Sequence, residues 1–191
     1  MADAQNRQNQ SYKSGGQEHQ VEEKQFSENV VSIDRVARVV KGGRRFRFRA
    51  LVVLGDGKGK VGVGVSKGQD VQSAVQKASD VAKKNIVTVA LYNRTVPHEA
   101  TAKVGGAHIL IKPAASGTGL KAGGVVRVVL ESAGVHDILS KSLGSSNKIN
   151  AAYATINALE QMVSASDWTT SIKNNASKKT SNKETVASEA K

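Results

Sequence analysis

Residues Lys41 to Val65 read KGGRRFRFRALVVLGDGKGKVGVGV, and the fold of the chain turns on this stretch. A double glycine opens it, a strand carrying arginine at alternate positions follows, and GDGKG leads into a second strand with glycine at alternate positions. With the period of two of an extended chain, Phe46, Phe48, Ala50, Val52 and Leu54 share one face, and Arg45, Arg47 and Arg49 share the other. In Lys60–Val65, Val61, Val63 and Val65 lie on one face and Gly62 and Gly64 on the opposite one. The phenylalanine and valine faces read as core. Arginine beside side-chain-free backbone suits a phosphate surface, because guanidinium pairs with phosphate and glycine lets another backbone come close.

Charge supports that reading. The chain of 191 residues carries a formal +12, and the excess is uneven. Residues 1–28 sum to −2, 29–90 to +9, 91–166 to +3 and 167–191 to +2. From Arg35 to Arg49 there are seven cations and no carboxylate, the footprint of a polyanion binder. Aromatics make up only 4%, and the phenylalanines of this stretch face the core, so shape and phosphate recognition of folded RNA fits better than base stacking. The chain has no cysteine, which excludes disulfides, thiolate metal sites and a cysteine nucleophile. No apolar run approaches the ~20 residues needed to cross a bilayer. The N-terminus has neither a secretory nor a transit pattern, so the default expectation is a cytoplasmic protein without a membrane.

Outward from the stretch, residues 1–28 are polar and read as a disordered arm. Order is expected from Asn29, with a strand over Val30–Val40. Asp56-Gly57 marks a hairpin connection. Asp70 caps a helix over Val71–Lys84, whose Ala/Val stripe covers the first sheet. This makes a β-β-β-α unit over 29–92, and Asn93–Pro97 reads as the hinge into a second unit over 93–166. There, Thr101–Val104 and Ala107–Lys112 pair as strands, and Pro113–Gly124 is a small-residue loop. Val125–Ala133 is strand by its β-branched run or helix by Gly134 at its end. Asp137–Leu143 reads as a strand and Asn147–Met162 as a helix with Ile149, Ala152, Tyr153, Ile156, Leu159 and Met162 on one face. A disordered tail is expected over 167–191.

Two glycine loops invite a nucleotide reading. Gly57 to Gly62 fits G-x-G-x-x-G, but that fingerprint works where a strand turns into a helix, and here it runs into a strand; Gly59-Lys60 is followed by Val61 rather than the hydroxyl of a P-loop. Gly117–Gly124 is the better candidate, since successive glycine amides can form an anion nest. It is similar to the phosphate loop of the GHMP small-molecule kinases, although Leu120 and Lys121 stand where hydroxyls belong. The alternative function is therefore a nucleotide-binding or phosphotransferase enzyme using this loop; the simpler reading is a turn or a surface for protein or RNA. His19, His98, His108 and His136 are scattered without metal-ligand spacing. No catalytic residue, metal site or cofactor is expected.

Gly43-Arg44, Phe48, Ala50, Val53-Leu54-Gly55-Asp56, Gly59, Val61-Gly62, Gly64, Asp70-Val71 and Ala74-Val75 together resemble the signature of the bacterial-type small-subunit ribosomal protein five family. The resemblance continues through Gly117-Thr118-Gly119, Ala122-Gly123-Gly124, Gly134-Val135-His136, Gly144-Ser145, Asn150 and Ala154-Thr155-Ile156. It implies an α+β protein: an N-terminal β-β-β-α domain resembling a double-stranded-RNA-binding fold and a C-terminal β-α-β-α domain in which Val125–Ala133 is helical. It further implies a non-enzymatic constituent of the small ribosomal subunit that binds 16S-type rRNA at the head–body junction, contacts ribosomal proteins four and eight, lies near the mRNA entry path and supports decoding fidelity. The RNA-binding candidates are Arg35, Arg38, Lys41, Gly42, Gly43, Arg44, Arg45, Arg47, Arg49, Lys58 and Lys60. Lys41–Arg44 matches the loop reaching the neck RNA close to the spectinomycin site. Ser116, Gly117, Thr118, Gly119 and Leu120 match the loop at the protein-four interface.

Overall fold

The computed structural model describes residues 26–165 and 168. The expected N-terminal arm, as far as residue 25, and the expected C-terminal tail, Trp168 apart, lie outside the described residues. The first half contains β1 (Ser27–Val40), β2 (Gly43–Gly55), β3 (Lys60–Gly68), α1 (Val71–Lys84) and β4 (Ile86–Thr88). Its four strands pair in the order β1-β2-β3-β4, all antiparallel. The second half contains β5 (Ala100–Val104), β6 (Ala107–Pro113), β7 (Leu120–Lys121), α2 (Gly124–Ser132), β8 (Ile138–Ser142) and α3 (Lys148–Glu160). Its sheet runs β5-β6-β8-β7, with β7 parallel to β8 across the α2 connection. The expected β-α-β-α run is β7-α2-β8-α3, preceded by the β5–β6 hairpin.

Local chemistry explains the helices. Asp70 stands extended before α1, its amide donating to Ser73 Oγ at 3.4 Å, and Lys83 and Lys84 occupy the negative end. The ambiguous Val125–Ala133 segment is helical: Val126, Val129 and Leu130 bury together at helical spacing. Gly134, at φ 85°, ends α2, its amide donating to Glu131 O and that of Val135 to Leu130 O, both at 3.0 Å. Packing overrides the β-propensity of valine here. Asn147 caps α3 by accepting from the Ile149 amide at 3.1 Å.

The elements stack in four layers: α1, the first sheet, the pair α2 and α3, and the second sheet. Ala74, Ala78 and Ala82 of α1 close over Ala50, Val52 and Leu54. On the other side of the same sheet, Leu51, Val53, Val61 and Val63 join Ile109, Ile111, Val129, Leu130, Ile138 and Leu159 in one continuous core shared by both halves. Because α3 is gripped from two sides, Ala151, Ala154, Thr155 and Ala158 are buried beyond the single expected stripe. The buried Thr155 hydroxyl is satisfied by donating to Ala151 O at 2.8 Å.

Two expectations about faces need correction. Gly64 pairs with Val52 and Gly62 with Leu54, and directly opposed residues share a face, so the glycines point at α1 and the valines Val61 and Val63 point at the second half. A Cβ at Gly64 would run into the backbone of Ala78 and Ala82, which means that the glycines admit the chain's own helix rather than a phosphate surface. Second, Phe46 is 48% exposed instead of core, with the Arg35 guanidinium 4.0 Å from its ring centroid. The Asn93–Pro97 segment, expected as the hinge into the second unit, is held by hydrogen bonds and burial. Tyr92 and Thr95 exchange backbone hydrogen bonds at 2.9 and 3.0 Å, Arg94 O accepts from His136 and Asp137, and Val96 is buried.

Candidate nucleic-acid interface

β3 pairs with β2 only from Phe48 to Gly55, so the outer part of the β1–β2 hairpin, from Val36 to Arg47, projects beyond the sheet. Its turn is Lys41-Gly42, with Gly42 at φ 85°, a conformation that L side chains adopt at a cost. Gly42 and Gly43 have no neighbour within 4 Å of where a Cβ would sit.

The register sorts the cations. Asp34 faces Arg49, Val36 faces Arg47 and Arg38 faces Arg45 on one face. Arg35, Ala37, Val39, Arg44, Phe46 and Phe48 share the other, with Lys41 at the tip. Lys67, opposite Arg49 on β3, joins the first face. There Arg38, Arg45, Arg47 and Lys67, with Val36, Ala37 and Val40, line a cavity of about 300 Å³. Arg38 and Arg45 are like charges directly across the ladder, an arrangement that is destabilising by itself and relieved by an anion lying between them. Arg49 differs from the rest: its guanidinium binds Asp34 Oδ2 at 2.8 Å. Among the described residues it is the one ion-paired member of the seven cations. Lys67 and Asp34 were missed in the sequence, although counting outward from a two-residue turn at Lys41-Gly42 places Asp34 against Arg49.

Lys58 and Lys60 are not part of this cluster. They sit at the opposite end of β2, roughly 40 Å from the hairpin tip at the rise of an extended chain. Their turn is a docking element between the halves. The Gly57 amide donates to Ser132 O at 3.1 Å and that of Gly59 to Ala133 O at 3.0 Å, while Gly134 lies directly under the Gly57 carbonyl. Asp56 holds the turn by accepting from the Lys58 and Lys60 amides at 2.7 and 2.9 Å. Partial burial pushes its carboxyl up, yet these amides outweigh it and hold the pKa below the usual carboxylate value.

The second glycine loop is also occupied by the chain itself. Asp137, 2% exposed, accepts from the Gly117 and Gly119 amides at 3.1 and 2.9 Å through Oδ1. Arg94 lies 3.3 Å from its Oδ2. Gly117 and Gly119 have φ 89° and 74°, the left-handed conformations that such a nest requires. The Gly117 and Gly119 amides are therefore already engaged by the chain's own carboxylate, which takes these two donors away from a nucleotide phosphate. Asp137 carried no local signal, because its partners lie 18 and 20 residues away. Ser116 and Gly117 are exposed, and Thr118, Gly119 and Leu120 half-buried, so the loop presents its outer side to the surface.

His98 is structural: its Nδ1 lies 2.8 Å from Glu99 O and its Nε2 accepts from the Val163 amide at 3.0 Å. Among the described residues no His/Cys/Asp/Glu group of three or more could hold a metal, and no helix is long and apolar enough to cross a membrane.

Two family models match the chain. Ribosomal protein S5, N-terminal domain, matches residues 26–90, and ribosomal protein S5, C-terminal domain, matches residues 102–171. Together they cover more than two thirds of the sequence.

Proposed function

The chain belongs to the ribosomal protein S5 family, a structural, RNA-binding family of the small ribosomal subunit, and we propose that its β1–β2 hairpin is the anchor to rRNA at the head–body junction. Lys41–Arg44 enters the RNA of the neck, near where spectinomycin binds. The exposed side of the Ser116–Leu120 loop meets ribosomal protein four, protein eight is a second neighbour, and the mRNA entry path passes nearby; through these contacts the protein supports decoding accuracy. One observation carries the reading: a projecting hairpin bears Arg35, Arg38, Lys41, Arg44, Arg45 and Arg47 with no ion-pair partner among the described residues, two of them directly opposed. Phosphates are the counter-charges that such a face lacks.

Replacing Arg38, Arg45 and Arg47 together by Gln keeps side-chain length and removes the charge that would meet up to three phosphates. The slope of log affinity for small-subunit rRNA against log salt then flattens by roughly one unit for each phosphate no longer neutralised. An unchanged slope in a variant with unchanged thermal melting would refute the assignment.

A further inference from the structure

The second sheet is the last layer of the molecule. Its inner side, with Ala102, Ile109, Ile111 and Ile138, is buried against the helices, and no described element covers its outer side. Cross-strand pairing sets out what lies there. One row runs Lys112, Leu139, Lys121; the next runs Thr101, Leu110, Lys141; at the far end Lys103 faces His108. Lys112 is paired with Glu99 at 3.1 Å, whereas Lys103, Lys121 and Lys141 are exposed and have no ion-pair partner among the described residues. They lie on β5, β7 and β8, spanning the full width of the sheet, roughly 15 Å at the usual strand spacing.

We propose that this face is a second RNA-contacting surface, separate from the hairpin, on which Lys103, Lys121 and Lys141 meet the phosphate backbone. The occupant follows from composition. Lysine is depleted in protein–protein interfaces, while surfaces that meet nucleic acid are much more positively charged. Each row holds a single leucine, Leu139 between Lys112 and Lys121 and Leu110 between Thr101 and Lys141, so cations outnumber apolar side chains on this face. With no Phe, Tyr or Trp in these rows and His108 alone at the far end, the surface reads charge and shape rather than a run of stacked bases.

The test uses the full chain and purified small-subunit rRNA. Lys103→Gln/Lys121→Gln/Lys141→Gln flattens the salt slope by about two to three units at ~0.7–0.9 per phosphate. Combined with the hairpin triple variant, its effect adds to that of the hairpin, since the two surfaces share no residue. A face variant that melts normally and binds RNA with the wild-type slope overturns the proposal and leaves the hairpin reading intact. A hairpin variant without effect beside an active face variant does the reverse. Amine-reactive labelling of the wild-type protein provides a check without substitution: RNA protects Lys103, Lys121 and Lys141. Protection seen only in assembled subunits, and not with rRNA alone, identifies a protein as the occupant and overturns the proposal.

Discussion

Two sets of glycines in this chain look alike in sequence and do opposite things. At the hairpin tip, Gly42 and Gly43 border open space. In the body, a Cβ at Gly55, Gly62, Gly64 or Gly134 would collide with backbone of the chain itself: Ser132 for Gly55, α1 and the residues at its end for Gly62 and Gly64, and Gly57 for Gly134. The first set leaves room for a partner; the second is room already taken. The comparison shows that a missing side chain marks a close approach without saying whose, and only the neighbours in the fold decide it.

The contrast is broken most severely at Gly64. Gly64→Val places a branched side chain against the Ala78 carbonyl and the Ala82 amide, helix backbone that cannot move aside. We expect a loss of at least about 3 kcal/mol, or failure to fold. In a chain of this size that is a fall in Tm of roughly 10 °C by differential scanning calorimetry. A Tm within 2 °C or so of wild type would show that the helix does not sit on the glycines.

Asp137 tests the loop that is filled from within. Asp137→Ala leaves the Gly117 and Gly119 amides without their acceptor, and we expect a cost of about 1–3 kcal/mol. Hydrogen exchange at these two amides should accelerate well beyond that of the β2–β3 core. Equal exchange in both proteins would mean that the carboxylate is not what holds the loop.

At the open tip, two adjacent glycines should separate. Gly42→Ala is strained by the φ of 85° despite the free space, and costs about 1–2 kcal/mol of local hairpin stability. Gly43→Asp has ordinary backbone and free space, so folding changes by less than about 1 kcal/mol. Its negative charge instead enters the cationic tip, and rRNA affinity falls; ribosomes carrying it should be less inhibited by spectinomycin in purified translation. If Gly43→Asp binds rRNA as wild type does, the tip is not where the RNA is met.

The smallest effect belongs to Asp56, which holds the turn that docks on α2. Its pKa is lowered in the folded protein, so its contribution is present above the unfolded value of about 3.9 and fades as pH falls through the folded value. Thermal melts from pH 6 to pH 2 should show Asp56→Asn less stable than wild type at the upper end, with the gap closing below about pH 4. A gap independent of pH would assign the loss to shape rather than charge.

Much of this was legible beforehand wherever the cause is local. The strand over Arg45–Leu54, the helices after Asp70 and Asn147, the concentration of positive charge in the first half and the family follow from periodicity, capping residues, composition and motif order, all of which are read over short stretches of chain. The tertiary structure decided what depends on partners far along the chain. It turned the glycine face of β3 toward α1, sent Leu51 and Val53 into a core shared with the second half, filled the Gly117–Gly119 nest with Asp137, and parted Lys58 and Lys60 from the hairpin cations. The physical reason is the same in each case. A strand has two faces and a glycine two possible neighbours, and the period of the sequence is identical for both until pairing register and layer order choose between them.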